Sequence, residues 1–314
     1  MKPILGLYPQ PAAEQPLIGT YLNHQIRNKA QQQERPFVYT NYVVSLDGRI
    51  AIPHPNKAGM MVPKSTANER DWRLFQELAC QADVLISSGR YLRDVADGRA
   101  QEILNTDDPN FADLRKWRNE QGLPTHPDIV IVSSSLDFPI PERLTADGRK
   151  VIVFTTADSD PQRRAELEAQ AGQVYVAGEK QVEGQKMIGR LGKLGYQVIY
   201  NASGPKIFHM LLAAGVVDRL YLTHANRLLG GDPFSPVVEG ALLKPPIDLK
   251  LNTLYYDTHA PTGVAPLMPY RRFSSYIDAP DSYSDTTCFL KAILYRLMIS
   301  LTIFCPDSFY FCKL

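Results

Sequence analysis

The chain has 314 residues, 44% of them hydrophobic, and a formal net charge of +1. That length supports one large domain or two smaller ones with real cores, and the near-zero charge gives no sign of a nucleic-acid surface built on bulk charge. No two of the cysteines (Cys80, Cys288, Cys305, Cys312) form a C-x-x-C pair, which argues against a structural zinc site, and the N-terminus lacks the sustained apolar core of a signal peptide, so the cytoplasm is the expected compartment.

Residues 1–34 are rich in Pro and Gln and read as an arm, partly extended, with a short helix near "YLNHQIRNKAQQQE". The globular part opens at "RPFVYTNYVVSLDGRIA" (35–51), a strand dense in β-formers that ends in the turn signal "LDGR". In 64–82, Trp72, Phe75, Leu78 and Ala79 follow helical spacing. "DVLISSG" (83–89) is a short buried strand, and the stretch after it is helical in part. Residues 105–127 read as a loop with a short helix. "DIVIVSSS" (128–135) and "KVIVFTT" (150–156) are strands, and "PQRRAELEAQAG" (161–172) is a helix closed by Gly172. "QVYVAG" is again a strand and "QKMIGRLGKLG" (185–195) a helix. "YQVIY" (196–200), "NASGP" (201–205), an apolar helix and "DRLYLTHANRLLGG" (218–231) follow, and 245–273 reads as antiparallel edge strands. The alternation of strand and helix predicts an α/β sheet, largely parallel and covered on both faces.

In such sheets ligands bind outside the carboxyl ends of the strands. Three of these ends carry small or hydroxyl residues: Ser87, Ser88 and Gly89 with Arg90 next; Ser133, Ser134 and Ser135; and Ala202, Ser203 and Gly204. Together they offer hydroxyls, backbone amides and one guanidinium to a multiply phosphorylated ligand. Any one of them alone reads as an ordinary turn. There is no Walker A motif and no G-x-G-x-x-G. Asp47, in "SLDG", is either a turn residue or an acid facing a substrate. His209 reads as packed on the apolar face of its helix, and His224 is left open.

"PFVYTNYVVSLDGRIA", "ADVLISSGRYL", "DIVIVSSSLDFPIPERL" and "VIYNASGPKIFHMLLAAGVVDRLYLTHANRLLGG" follow in that order. Their order and spacing resemble the pyrimidine reductase domain of riboflavin biosynthesis over residues 35–273. The resemblance implies a dihydrofolate-reductase-like three-layer α/β/α fold with a mixed, mostly parallel central sheet. It further implies NADPH as cofactor and a homodimer. The implied reaction reduces the ribosyl group of 5-amino-6-(5-phosphoribosylamino)uracil to a ribityl chain. The cofactor-binding residues would be Ser88, Gly89 and Arg90, then Ser133, Ser134 and Ser135, then Ala202, Ser203 and Gly204.

Two departures from the family pattern stand out. Asn201 begins the third loop where relatives carry an acidic residue, and Gly89–Asp97 lacks the Gly-x-x-Thr-Val and Asp-Pro elements. "SGR" is instead similar to the Gly-Arg phosphate loop of dihydrofolate reductases. Asp47 or Asp94 would supply the proton that accompanies the hydride, and Lys64 and Arg70 are the candidate cations for the substrate phosphate. No H-x-E with P-C-x-x-C is present, so the deaminase half fused to many relatives is not expected. A reductase of another pyrimidine, pterin or carbonyl substrate, or a nucleotide-binding protein without turnover, remain the alternatives. Residues 274–314 form an atypical tail, with three of the four cysteines and an apolar run at 289–304. That run is shorter than the roughly 20 residues of a membrane span, and the tail reads as foreign to the fold.

Overall fold

The computed structural model describes residues 1–56, 59–261 and 264–272, the last stretch by its backbone. Its first half contains β1 (Ile4–Tyr8), β2 (Ala13–Gln15), α1 (Ile26–Ala30), β3 (Phe37–Ser45), β4 (Ile52–Pro53), β5 (Met60–Met61), α2 (Glu69–Gln81), β6 (Val84–Ser88), α3 (Gly89–Ala96) and α4 (Ala112–Glu120). The second half contains β7 (Asp128–Val132), β8 (Val151–Thr155), α5 (Pro161–Ala171), β9 (Val174–Val176), α6 (Gly184–Lys193), β10 (Val198–Asn201), α7 (Pro205–Ala213), β11 (Arg219–Ala225), β12 (Leu249–Leu251), β13 (Leu254–Tyr256) and β14 (Val264–Arg272).

The main sheet runs β2-β1-β13-β14-β11-β3-β10-β6-β7-β8-β9, with β12 paired to β14. From β11 to β9 every neighbouring pair is parallel. The strands on the other side of β11 are antiparallel. This is the mixed, mostly parallel sheet expected from the alternation of elements. Its central strands are apolar on both sides because helices cover both faces. Tyr39, Leu85 and Tyr200 face α1, α2 and α4. Ile129, Ile131, Val151 and Val153 continue that face under α3 and α5. Val38, Ile86, Ile152 and Ile199 face the opposite way, against α6 and α7.

The amino edge of the sheet is held by aspartates. Asp218, just before β11, accepts the N–H of Val38 in β3 at 2.8 Å. Asp83, just before β6, accepts those of Gln197 and Val198 at the start of β10, at 2.8 and 2.9 Å. Asp128, opening β7, accepts that of Lys150 beside β8 at 2.8 Å. Each carboxylate thus fixes the register of the neighbouring parallel strand and uses an N–H that would otherwise lack a partner.

The first 34 residues differ from the expected arm. β1 pairs with both β2 and β13, and Ile4, Leu17, Tyr21, Ile26 and Ala30 are buried in the same cluster as Leu74 and Leu78 of α2. Glu77 of α2 is the anchor. It accepts the N–H groups of Gly19 at 2.6 Å and Tyr21 at 2.9 Å, and the Arg73 guanidinium at 3.0 Å. Helix α2 can carry this load because Asn68 caps it, accepting from the N–H groups of Arg70 and Asp71, and because Leu74 and Leu78 bury its inner stripe. The tail 274–314 lies outside the described residues. Among the described residues no helix is long and apolar enough to cross a membrane.

Glu77→Ala leaves the buried Tyr21 N–H, the half-buried Gly19 N–H and Nε of Arg73 without their acceptor, while Asp113 still binds the other two nitrogens of that guanidinium. It is expected to destabilise the protein by about 3–5 kcal/mol, read as a lower urea midpoint at unchanged slope. A loss below about 1 kcal/mol would show that the N-terminal segment is held by other contacts.

Candidate active site at the switch point of the sheet

Strands β6 and β10 are neighbours, but their chains leave in opposite directions: β6 runs into α3 on one face and β10 into α7 on the other. A crevice opens where adjacent crossovers diverge in this way. The loop after β10 is drawn against β6 by the Ala202 N–H, which donates to Ile86 O at 3.0 Å.

Asn201, 1% exposed, braces that loop from inside. Its Nδ2 donates to Thr40 Oγ1 at 3.2 Å. Its Oδ1 accepts the Ser203 N–H at 3.3 Å and the Ser203 hydroxyl. Tyr42 donates its hydroxyl to Ser203 O at 3.0 Å. Ser203 therefore departs from the expectation that its amide meets a ligand: the side chain two residues earlier has taken it. The Ala202 amide is likewise committed to β6.

Gly204 is the residue left open. It is the N-cap of α7 at φ −76° and ψ 180°, an extended conformation that any residue adopts, and a Cβ built there would meet nothing within 4 Å. Pro205 sits in the first turn, where a missing N–H is tolerated. No side chain caps α7, and none caps α3. By contrast α5, which follows β8, is capped by Asp160. Two uncapped helix starts thus stand side by side at the switch point, with positive ends and first-turn amides toward the crevice.

Around α3 the geometry is tight. A Cβ at Gly89 would fall 2.6 Å from Phe138 Cδ1, so only glycine fits beneath that ring. Ser88 is the N-cap residue and makes no capping bond. Ser133 Oγ accepts the Leu136 N–H at 3.1 Å, serving its own turn, while Ser134 and Ser135 are exposed. Arg90 stands beside Gly59, and its Nε lies 3.6 Å from Asp94.

Neither acid named from the sequence is arranged as a proton donor. Asp47 accepts the hydroxyl of Ser45 at 2.5 Å, Arg49 Nε at 3.0 Å and the N–H groups of Leu229 at 3.2 Å and Gly230 at 2.9 Å. The Ser45 hydroxyl first, then the two backbone donors, hold its carboxyl well below the usual carboxylate range. Of the two readings of "SLDG", the turn is the one found, and Asp47 also ties that turn to the loop 227–235. Asp94 is ion-paired to Arg99 at 2.9 Å as well as to Arg90. Of the two candidate phosphate cations, Arg70 is already engaged: Nε and Nη2 bind Asp257 at 2.6 and 2.8 Å. Lys64 is exposed in the turn before α2. His209 is packed as expected, with Nε2 2.7 Å from Ala241 O.

A further acid, Asp71, is not among the residues that the strand-end motifs point to. It is buried on the inner face of α2 and accepts the Thr223 hydroxyl of β11 at 2.8 Å. Beside it on the same face, Tyr200 of β10 donates its hydroxyl to Asn41 of β3. Burial pushes the Asp71 carboxyl up to about 6, against the pull of the Thr223 hydrogen bond. A signal was available: Asp71, Phe75 and Leu78 lie on one helical stripe, so a charge interrupts an apolar face.

The fold and these strand ends define a doubly wound α/β protein with two uncapped helix starts at its switch point. Residues 36–258 match the model of the RibD C-terminal domain, and the chain belongs to that family. It is similar to the 2,5-diamino-6-ribosylamino-4(3H)-pyrimidinone 5′-phosphate reductase of Archaeoglobus fulgidus, 24% identical over 211 residues, covering 66% of this chain and 87% of the relative. The enzyme of the same name from Methanothermobacter thermautotrophicus is 25% identical over 209 residues, covering 66% and 85%. Among solved structures, a pyrimidine reductase-like protein from Corynebacterium diphtheriae shares the fold at TM-score 0.57 and 20% identity, over 76% of this chain and 92% of that one. The riboflavin biosynthesis reductase of Saccharomyces cerevisiae shares it at TM-score 0.51 and 16% identity, over 81% and 99%.

Gly204→Val puts its side chain into space that the protein itself leaves open. The variant is expected to keep wild-type thermal stability and lose cofactor affinity by tenfold or more (about 1.4 kcal/mol). Unchanged affinity by calorimetric titration would reduce the loop to a turn.

Proposed function

We propose that this protein is an NADPH-dependent pyrimidine reductase of riboflavin biosynthesis, reducing the ribosyl group of a ribosylamino-pyrimidine 5′-phosphate to a ribityl chain. The observation that carries the reading is the pair of uncapped helix starts meeting at the switch point, in a chain of this family. The sequence resemblance named the uracil as substrate, whereas the archaeal relatives are named for the 2,5-diamino-pyrimidinone. The two differ in a 2-oxo against a 2-amino group. We propose the diamino compound for this chain, as a homodimeric enzyme.

The crevice suits a dinucleotide. The amides of Gly204, Lys206 and Ile207 would receive the diphosphate. Ser88, Gly89, Arg90 and the serines 133–135 would receive the 2′-phosphate that distinguishes NADPH from NADH. The bound cofactor supplies a hydride. Opening of the ribose ring breaks the C1′–O4′ bond and leaves a C1′=N imine, the amine proton passing to O4′; the chain must then align C1′ and deliver one proton to the imine nitrogen as the hydride arrives. We assign that proton to Asp71, whose carboxyl is kept partly protonated near neutral pH by burial. Lys64 is the candidate contact for the substrate phosphate.

Steady-state NADPH oxidation with the diamino-pyrimidinone and the uracil side by side tests the reading. Turnover of neither would leave a nucleotide-binding protein without this activity. Arg90→Ala is expected to weaken NADPH by about 1–3 kcal/mol and leave NADH nearly unaffected. Equal losses for both cofactors in a titration would overturn the assignment of Arg90.

Asp71→Asn is expected to lower kcat by about 10²–10⁴-fold and to lack the decline in kcat expected of the wild type as pH rises through about 6. Its effect on stability has the opposite sign. Because the folded-state value is raised above the unfolded one, the native protein binds more protons than the unfolded chain between the two values, and stability falls as pH rises through that window. The variant should therefore gain up to about 3 kcal/mol over the wild type at about pH 8 and little at about pH 4, measured by thermal unfolding at both. Loss of stability at the higher pH would show that the ionised Asp71 is better compensated than its contacts indicate.

A further inference from the structure

We infer that the cleft between α2 and α3 holds the pyrimidine ring of the substrate, stacked on Trp72. This rests on the reductase reading above and adds to it the part of the molecule that takes the base.

The cleft has a volume of about 600 Å³, with Trp72 and Phe75 of α2 on one side, Tyr91 of α3 on the other, and Arg99, Glu102 and Ile103 along the rim. That is within the size of small-molecule sites. Trp72 and Phe75 are themselves stacked, with centroids 4.9 Å apart and planes 10° from parallel, and both remain partly exposed. The stack leads inward. Phe75 meets Tyr200 edge-on at 5.8 Å, and Tyr200 is the residue before Asn201, at the strand end from which α7 starts. The cleft therefore backs onto the strand end from which α7 starts, and Tyr91 on its far wall follows Gly89 and Arg90 in the first turn of α3, with Asp71 one residue before Trp72 on the sheet side.

The rim decides which end of the substrate enters. Arg99 is bound by Asp94 at 2.9 Å and by Asp97, and Glu102 by Arg149 at 2.8 Å. The rim cation is already neutralised, so the cleft is poorly set for a phosphate. A flat heteroaromatic ring gains from stacking on the half-exposed indole whatever its substituents, because every base presents a π-face.

The chain has two tryptophans, Trp72 and Trp117. In Trp117→Phe full-length protein, Trp72 is the sole indole reporter. Titration with 2,5-diamino-6-ribosylamino-4(3H)-pyrimidinone 5′-phosphate is expected to quench its fluorescence saturably. Trp72→Ala is expected to raise the KM for that compound by about 5- to 150-fold while leaving NADPH affinity unchanged, and Trp72→Phe to recover part of the loss. If the wild type turns the pyrimidine over, while Trp72→Ala or Trp72→Phe keeps the wild-type KM and the indole signal does not respond, the inference falls and the reductase reading stands. If the wild type oxidises no NADPH with the pyrimidine, the reductase reading falls and the inference with it.

Discussion

Three aspartates at the amino edge of the sheet hold the register on which the opposite edge depends. Asp218, Asp83 and Asp128 each reach across from their own strand to the first free N–H groups of a parallel neighbour. A slip of one residue in a parallel pair would turn every side chain of that strand to the other face. It would bring Asn201 out of reach of Thr40, and Thr223 out of reach of Asp71. The crevice is thus defined from the far end of the strands. Arg27 and Arg35, which bind Asp83 at 2.6 Å and Asp218 at 2.5 Å, extend the clamp into the N-terminal segment.

Asp47 and Asp71 show how one residue type serves two purposes. Asp47 sits in a turn among four donors from Ser45, Arg49, Leu229 and Gly230, and the negative charge is what those donors favour. Asp71 accepts the Thr223 hydroxyl and is otherwise buried beside Tyr21 and Tyr200. Desolvation dominates there and favours the proton. The first acid is suited to joining two loops, and the second keeps its proton to higher pH than an exposed carboxyl does.

The order of elements and the three loops at the strand ends were legible because period and turn chemistry are local properties. "DVLISSG", "DIVIVSSS" and "YQVIYNASGP" each place an apolar run before small residues, and β6, β7 and β10 lie there. What was not legible depends on partners distant in sequence. The N-terminal 34 residues look like an arm because their apolar residues are sparse. Their place in the core is set by Glu77, 58 positions beyond Gly19. Arg70 looked free because Asp257 lies 187 positions away. Asp71 is hard to see in the sequence because its one hydrogen-bonding side chain, Thr223, lies 152 positions away. Ser203 was misread within its own loop: the sequence shows a small residue but not that Asn201 Oδ1 would turn back and take its amide.

That last contact changes how the site meets a ligand. A loop whose amide, hydroxyl and carbonyl are already satisfied by Asn201 and Tyr42 has its shape before anything arrives. The ordering of such a loop is part of folding, not of association, so less conformational entropy is lost when a ligand docks. Asn201 therefore gives the loop its rigidity from inside the fold. In this chain the third loop is ordered in advance, with Gly204 as its open face.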